Sequence, residues 1–297
     1  MEPTNLIMNY RRYLKRGNSS PTTVRNYMAS LTQYLMWLEV PIEQATPRTI
    51  SQYIDALMAR GLKPKTINCH LQRIREFYHY MIQEEGVPMA NPVRKGYRLR
   101  TPKPLPKHLR GEELEVLFGS LRSARDRAMF MLMLRCGLRV GEVANLTLGA
   151  IDLLGRRLII YDAKWGKDRV AYLSDDATRA LGTYLRLRPQ SKSQRVFLNG
   201  KGLFRGRPLS SRGIRKRMEY YAKKTGLSAS CHQLRHTMAT QMLEADAQLV
   251  TIQDLLGHSW ITTTQQYCRV SNRKVQRDYY RAMQKVMQRT RYTQFPA

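Results

Sequence analysis

The chain of 297 residues is short of cysteine, of long apolar runs and of acidic side chains. Its four cysteines, Cys69, Cys136, Cys231 and Cys268, lie far apart and form no CxxC pair. That excludes a disulfide framework or a paired-cysteine zinc site and suits a reducing, cytoplasmic setting. The longest apolar run is Ala128–Leu134, AMFMLML, far below the ~20 residues a membrane span needs. The opening residues, MEPTNLIMNYRRYL, carry no long apolar stretch of the secretory kind, so neither export nor a membrane is expected. Asp and Glu number 22 against 51 Lys and Arg, a net charge of +29. Such an excess calls for a polyanionic partner, because each neutralised phosphate releases counterions. Nucleic acid stands ahead of an acidic membrane surface, since the sequence holds no lipidation motif.

Proline marks the division of the chain. Five of its thirteen prolines fall within residues 88–106, PMANPVRKGYRLRTPKPLP. Proline removes a backbone donor and disfavours helix in the residue before it, so this stretch reads as an extended linker. It carries Arg94, Lys95, Arg98, Arg100 and Lys103 with no acid, which suits a tether lying along a phosphate backbone. Residues 1–106 have a net charge of +9 and residues 107–297 of +20, so both parts face the same polyanion.

The organisation expected is a helical domain over 1–87, the basic linker over 88–106 and a mixed domain over 107–297. Together they make a mainly α protein with a small β-hairpin, in the α+β class. In the first domain a short helix precedes three longer ones. Ser20-Pro21 and Thr46-Pro47 are helix-opening pairs. Apolar residues then recur at three- and four-residue spacing: Val24, Tyr27, Leu31, Tyr34, Leu35 and Leu38; Ile50, Ile54 and Leu57; Ile67, Leu71, Ile74, Tyr78 and Met81. Arg11, Arg12, Lys63, Lys65, Arg73 and Arg75 fall on the polar faces and, with Arg98 and Arg100, are the candidate DNA contacts. The second domain shows helices near 111–120, 124–136 and 140–147. A hairpin of Arg157–Ala163 and Arg169–Leu173 follows, then helices near 175–187, 210–225, 232–244, 248–256 and 262–267. A last helix at about 272–289 carries the stripe Val275, Tyr279, Met283 and Val286.

Four clusters in the second domain carry chemistry. They are Gly137-Leu138-Arg139-Val140-Gly141-Glu142, the hairpin turn with Lys164 and Lys167, His232-Gln233-Leu234-Arg235-His236, and Leu256-Gly257-His258 with Tyr267 nine residues on. In a helix His232 and Arg235 share a face. Arginines, histidines, a lysine and a tyrosine with few acids make a poor divalent-metal site, because metal-dependent nucleases hold their ions with clustered carboxylates. The set suits a phosphodiester. Guanidinium groups bind its oxygens and offset the charge of a pentacoordinate transition state. A tyrosine can attack it covalently if cations or a base lower its ordinary pKa of about 10. A hairpin lysine can protonate the leaving 5′-oxygen. No metal or other cofactor is called for.

GLRVGEV, HQLRHTMAT and LLGHSWITTTQQY, in this order around a lysine hairpin, resemble the signature boxes of the tyrosine recombinases, the integrase family that includes the Xer and Cre proteins. The likeness covers roughly residues 107–290, and the N-terminal helices resemble that family's core-binding domain. The hairpin departs from the pattern, with Ala163 and Trp165 flanking Lys164 where glycines are usual; alignment of the turn favours Lys164 over Lys167. The resemblance implies that Arg139 and Arg235 hold the scissile phosphate, with Glu142 orienting Arg139. It implies that Tyr267 attacks to give a 3′-phosphotyrosyl bond, Lys164 protonates the 5′-oxygen, His232 assists proton transfer at Tyr267 and His258 hydrogen-bonds a phosphate oxygen. It also implies two domains clamped on duplex DNA and four copies exchanging strands through a four-way junction, with the helix at about 272–289 docking on a neighbouring copy. The outcome would be integration, excision or resolution, with or without accessory proteins, on the nucleoid in the cytoplasm.

Each residue also has a plainer reading. Arg139 could only cap a helix, Lys164 could be a solvated turn residue, and His232 could be an N-cap. Tyr267 is one of seventeen tyrosines. Tyr279 and Tyr280 read as packing residues of the last helix. It is the order of the four clusters that outweighs these readings.

Overall fold

A computed structural model of the chain describes residues 3–102, 107–163, 167–257, 279–280 and 283–284. Lys164, His258 and Tyr267 lie outside the described residues. So does most of the expected helix at 272–289; Tyr279 and Tyr280 are helical, 59% and 58% exposed, and meet edge to face. The chain divides into two compact units, residues 1–103 and 104–297.

The first unit holds α1 (Pro3–Arg16), α2 (Pro21–Trp37), α3 (Pro47–Ala59) and α4 (Pro64–Gln83). Helices α2, α3 and α4 each have proline in the first turn, where its missing N–H leaves nothing unpaired. Thr46 and Thr49 cap α3 reciprocally: each side-chain oxygen accepts the other's backbone N–H, at 3.3 and 3.1 Å. The expected inward residues Ile50, Ile54, Leu57, Ile67, Leu71, Ile74, Tyr78 and Met81 are buried. The core is rich in aromatic rings. Tyr34 and Tyr78 meet edge to face and join hydroxyls at 2.9 Å, and the Tyr78 hydroxyl is also 3.2 Å from the Ile42 carbonyl. Buried phenols are tolerable when their hydroxyls are paired in this way.

Residues 88–99, expected to form a free tether, are instead built into this unit. Val93 is buried, and Met89, Tyr97 and Leu99 pack on the same core. The Asn68 side chain exchanges two hydrogen bonds with the Leu99 backbone, at 2.9 and 2.8 Å. Asn91 donates to the Arg75 carbonyl at 3.0 Å, and the Tyr97 hydroxyl to that of Pro47 at 3.0 Å. The physical reason is that an extended segment must still pair its backbone groups, and side-chain amides supply the partners. Its basic residues Arg94, Lys95, Arg98 and Arg100 stay exposed.

The second unit begins with α5 (Gly111–Gly119), α6 (Ala124–Arg135) and α7 (Val140–Asn145). An antiparallel sheet follows, β1 (Ile151–Asp152), β2 (Arg157–Ala163) and β3 (Lys167–Tyr172), in the order β1-β2-β3. The unit continues with α8 (Asp175–Leu187), α9 (Ser211–Thr225), α10 (Cys231–Glu244) and α11 (Leu249–Leu256). Strand β1 was not expected from the sequence, because two residues show no alternation. Leu158, Ile160 and Ala171 are buried while Ile159, Val170 and Tyr172 are exposed, the two-residue period of a one-sided sheet. Met129, Phe130, Leu132 and Met133 of α6 pack in one core with Leu181 and Tyr184 of α8. Asp126 is wholly buried and accepts hydrogen bonds from Arg125, Arg217 and the Tyr221 hydroxyl, tying α6 to α9. A smaller cluster joins Met238, Ala239 and Leu243 of α10 to Ile252 and Leu256 of α11. No helix among the described residues is long and apolar enough to cross a membrane.

Candidate active site

The site is built where α6, α7, α10, α11 and β3 converge. Helix α6 stops at Cys136, and Gly137 follows at φ +63°, a left-handed conformation that costs glycine little. A Cβ there would stand 2.9 Å from Leu256 Cδ2 and 3.3 Å from Met238 Sδ. The glycine therefore lets the end of α6 close on α10 and α11. Two residues on, Arg139 is the N-cap of α7, and its backbone N–H donates to Glu142 Oε2 at 2.7 Å. The Arg139 side chain then turns back on the same carboxylate, Nη1 to Oε1 at 2.7 Å.

Helix α11 ends on Gly257 at φ +57°. The last carbonyls of a helix have no partner within it and carry its negative dipole end. Here three consecutive ones take guanidinium donors from three different elements. Arg169 of β3 donates Nη1 to Leu255 O at 3.0 Å, Arg235 of α10 donates Nη2 to Leu256 O, and Arg139 donates Nη2 to Gly257 O at 2.9 Å. Arg235 also donates Nη1 to the Gly137 carbonyl and is 2% exposed. Glu142, its side chain 8% exposed, accepts a second arginine, Arg169 Nη2, at 2.6 Å. Three guanidinium groups against one carboxylate leave this cluster net positive. Of the two predicted phosphate-binding arginines, Arg139 is the more open, its side chain 29% exposed.

His232 stands one turn before Arg235 on α10 and is solvent-exposed. It is not the helix cap: Ser230 holds that place and accepts the Gln233 N–H. Packing against its surroundings pulls the His232 pKa below the usual histidine range, and the nearby Arg235 and Arg139 charges lower it further. Both guanidinium charges are thus close enough to act on the ring. The ring of His236 lies 4.1 Å from that of His232, centroid to centroid. Burial first, then His232, Arg235 and His108, push its pKa down to about 4. Among the described residues no group of three His, Cys, Asp or Glu could hold a metal ion.

The described part of the site thus brings together Arg139, Glu142, His232 and Arg235, and adds Arg169. The matches to known proteins agree with one reading of this arrangement. Residues 107–274 match the phage integrase family, and residues 7–85 match its N-terminal SAM-like domain. The chain belongs to the phage integrase family of tyrosine recombinases. Tyrosine recombinase XerC of Myxococcus xanthus is 31% identical over 294 residues, covering 92% of this chain and 96% of that protein. XerC of Actinobacillus pleuropneumoniae serotype 7 is 36% identical over 276 residues, with 87% of each covered. In fold the chain is similar to a lambda integrase dimer bound to a core site, with TM-score 0.75, 20% identity and coverage of 90% and 95%. It is equally similar to the Tn1549 transposon integrase in complex with transposon right-end DNA, with TM-score 0.75, 18% identity and coverage of 88% and 94%.

In this tyrosine recombinase the candidate DNA contacts of the first unit do not form one cluster. Arg11 and Arg12 are exposed on α1, whose Tyr10 packs on Tyr80 near the far end of α4, at 5.0 Å between ring centroids. Lys63 and Lys65 are exposed at the start of α4, some 20 Å away along the helix axis at ~1.5 Å per residue. Arg98 and Arg100 flank Leu99, which Asn68 pins beside that same end of α4. Arg73 is partly buried and donates Nη1 to Ser30 Oγ of α2 at 2.8 Å, and Arg75 is half-buried. Arg73 therefore braces two helices rather than standing free. The residue that sequence reasoning missed at the active site is Arg169. The signal was present: with Ala171 it occupies alternate positions of β3, on the inner face of the hairpin.

Proposed function

We propose that this recombinase breaks and rejoins strands of duplex DNA at a specific site. Arg139 and Arg235 hold the scissile phosphate, and the Tyr267 oxygen attacks its phosphorus. The new bond is a 3′-phosphotyrosyl ester, and the bond that breaks is the one to the 5′-oxygen. Lys164 delivers the proton that this oxygen needs to leave as a hydroxyl. His232 receives the tyrosine proton, a role its lowered pKa suits, because a neutral imidazole can accept where a protonated one cannot. His258 hydrogen-bonds a phosphate oxygen. A 5′-hydroxyl from another strand then attacks the ester and releases the tyrosine. The ester keeps the free energy of the broken linkage, so nothing further is consumed.

The observation that carries this reading is the seating of Arg139 and Arg235 on the carbonyls at the carboxyl end of α11, the point from which the chain runs on to His258 and Tyr267, with His232 one turn before Arg235 on α10. A net-positive, partly dry cradle stabilises charge that develops on a phosphodiester. The unit of residues 1–103 adds exposed basic groups in two places, Arg11 and Arg12 on α1 and Lys63, Lys65, Arg98 and Arg100 around the start of α4, and both contact duplex DNA. Four copies act on a four-way junction, each linked to the next through the helix at about 272–289. The work takes place on DNA in the cytoplasm, at the nucleoid.

The test is to incubate the protein with nicked duplexes tiled across the DNA flanking its own gene. A nick near the cut lets the short 5′-hydroxyl fragment diffuse away and traps the adduct. Protein–DNA adducts that form with wild type and are absent with Tyr267→Phe, while duplex binding persists, are the expected result, and their positions map the site. Adducts undiminished in Tyr267→Phe would refute the nucleophile. Supercoil relaxation without strand exchange would place the activity with type IB topoisomerases.

A further inference from the structure

Arg169 is buried where the sheet has no use for a charge. Its side chain is 9% exposed, and Leu158, Ile160 and Ala171 share the inner face of the hairpin. Its cross-strand partner in the register is Ile160. Its Nε is buried with no hydrogen-bond partner. A buried guanidinium with an unpaired donor is costly, and an apolar side chain of similar volume is often as stable or more so. What the arginine supplies is geometry.

That geometry concerns Arg139. The Arg139 guanidinium is seated on two acceptors, Glu142 Oε1 and the Gly257 carbonyl. Arg169 grips the same two bodies from the other side, through Glu142 Oε2 at 2.6 Å and the Leu255 carbonyl at 3.0 Å. Its Cδ lies 2.7 Å from the point where a Cβ on Gly257 would stand. Two consequences follow from elementary electrostatics. The negative charge of Glu142 is divided between two cations, so less of the Arg139 charge is cancelled before an anion arrives. The carboxylate and the end of α11 are also held at a fixed separation, and a preorganised donor costs nothing to aim when charge develops.

We propose that Arg169 is a positioning residue for the phosphate-binding guanidinium of Arg139. The proposal rests on the reading above that Arg139 holds the scissile phosphate. Removing Arg169 leaves Glu142 with Arg139 alone, and that pair closes on itself at the expense of the substrate.

The experiment compares wild type with Arg169→Met and Arg169→Lys in two assays. The first uses Tyr267→Phe protein, which cannot react, with inorganic phosphate as the probe and the Arg139 Nε–H NMR resonance, assigned with Arg139→Lys, as the readout. Arg169→Met should weaken phosphate binding at that resonance about 10–100-fold, the worth of one hydrogen bond to a charged group. Arg169→Lys, which keeps the charge and reaches one acceptor rather than two, should fall between. The second uses the nicked duplex mapped by adduct trapping. The single-turnover rate of adduct formation should fall about 100-fold in Arg169→Met, with the half-saturating DNA concentration unchanged. Arg157→Met, which removes an exposed ion pair with Asp152 on the same sheet, should behave as wild type in both.

A folded Arg169→Met or Arg169→Lys that binds phosphate at Arg139 as wild type does would overturn the proposal, whatever its rate. If Arg169→Met does not fold, Arg169→Lys decides. If the unsubstituted Arg169 protein itself shows no phosphate at Arg139, the arginine site falls and the proposal falls with it. Phosphate binding that depends on Arg169 without any adduct would support the positioning role and refute the tyrosine chemistry alone.

Discussion

Two glycines of the second unit form a matched pair. Gly226 closes α9 and Gly257 closes α11, both left-handed at φ +69° and +57°. A substitution to alanine at either site forces a side chain into the left-handed region, at about 1–2 kcal/mol. For a unit of this size that corresponds to a fall of roughly 2–8 °C in Tm. The surroundings differ. A Cβ at Gly226 meets nothing within 4 Å, whereas at Gly257 it stands 2.7 Å from Arg169 Cδ and 3.8 Å from Arg139 Nη1. The first contact is closer than real Cβ atoms approach, so Arg169 must shift, and Glu142 and Arg139 follow it. A catalytic donor displaced by even 1 Å can cost about 100-fold in rate. Gly226→Ala should therefore lose stability and keep its rate of adduct formation. Gly257→Ala should lose at least as much stability and about two orders of magnitude in rate. Calorimetry and single-turnover adduct formation on the mapped duplex measure both. Equal rates in the two folded variants would show that the carboxyl end of α11 does not set the arginine geometry.

Two further outcomes follow from buried charge. Asp126→Ala leaves Arg125, Arg217 and the Tyr221 hydroxyl without their shared acceptor and should cost about 3–5 kcal/mol; a change below 1 kcal/mol in urea unfolding would show that α6 and α9 do not depend on it. The pKa of His236, lowered from 6.5 to about 4, makes stability fall with acid. Above pH 6.5 both states are neutral there and nothing is lost; between that pH and about 4 the unfolded chain takes up a proton the native ring refuses. The loss reaches up to ~3 kcal/mol by linkage, reduced by solvent around a partly exposed ring. The His232 shift has the same sign. Urea midpoints at pH 7.5 and 5 should differ less in His236→Gln than in wild type, and parallel slopes would contradict the assignment.

Local signals made the helices legible. Ser20-Pro21 and Thr46-Pro47 open α2 and α3 as expected, and the apolar spacing from Ile67 to Met81 lies on the buried face of α4. Capping and periodicity act over a few residues, so they are written in the chain itself. The order of Arg139, His232, Arg235, His258 and Tyr267, which carries the resemblance to the family, is likewise read along the chain. The linker was misread for the opposite reason. Proline content reports on helix but not on docking, and residues 88–99 are held by Asn68 and Pro47, distant in sequence.

The sequence alone therefore determined the helical elements and the cationic character, since each depends on neighbours along the chain or on composition. Only the tertiary structure decided that Arg73 braces a helix pair and that three consecutive carbonyls, those of Leu255 and Leu256 in α11 and of Gly257 that closes it, seat three arginines. It alone drew Arg169 into the site. Those facts depend on which backbone ends meet across 86, 21 and 118 residues of chain, and no local pattern records the distance at which a helix end finds its partners.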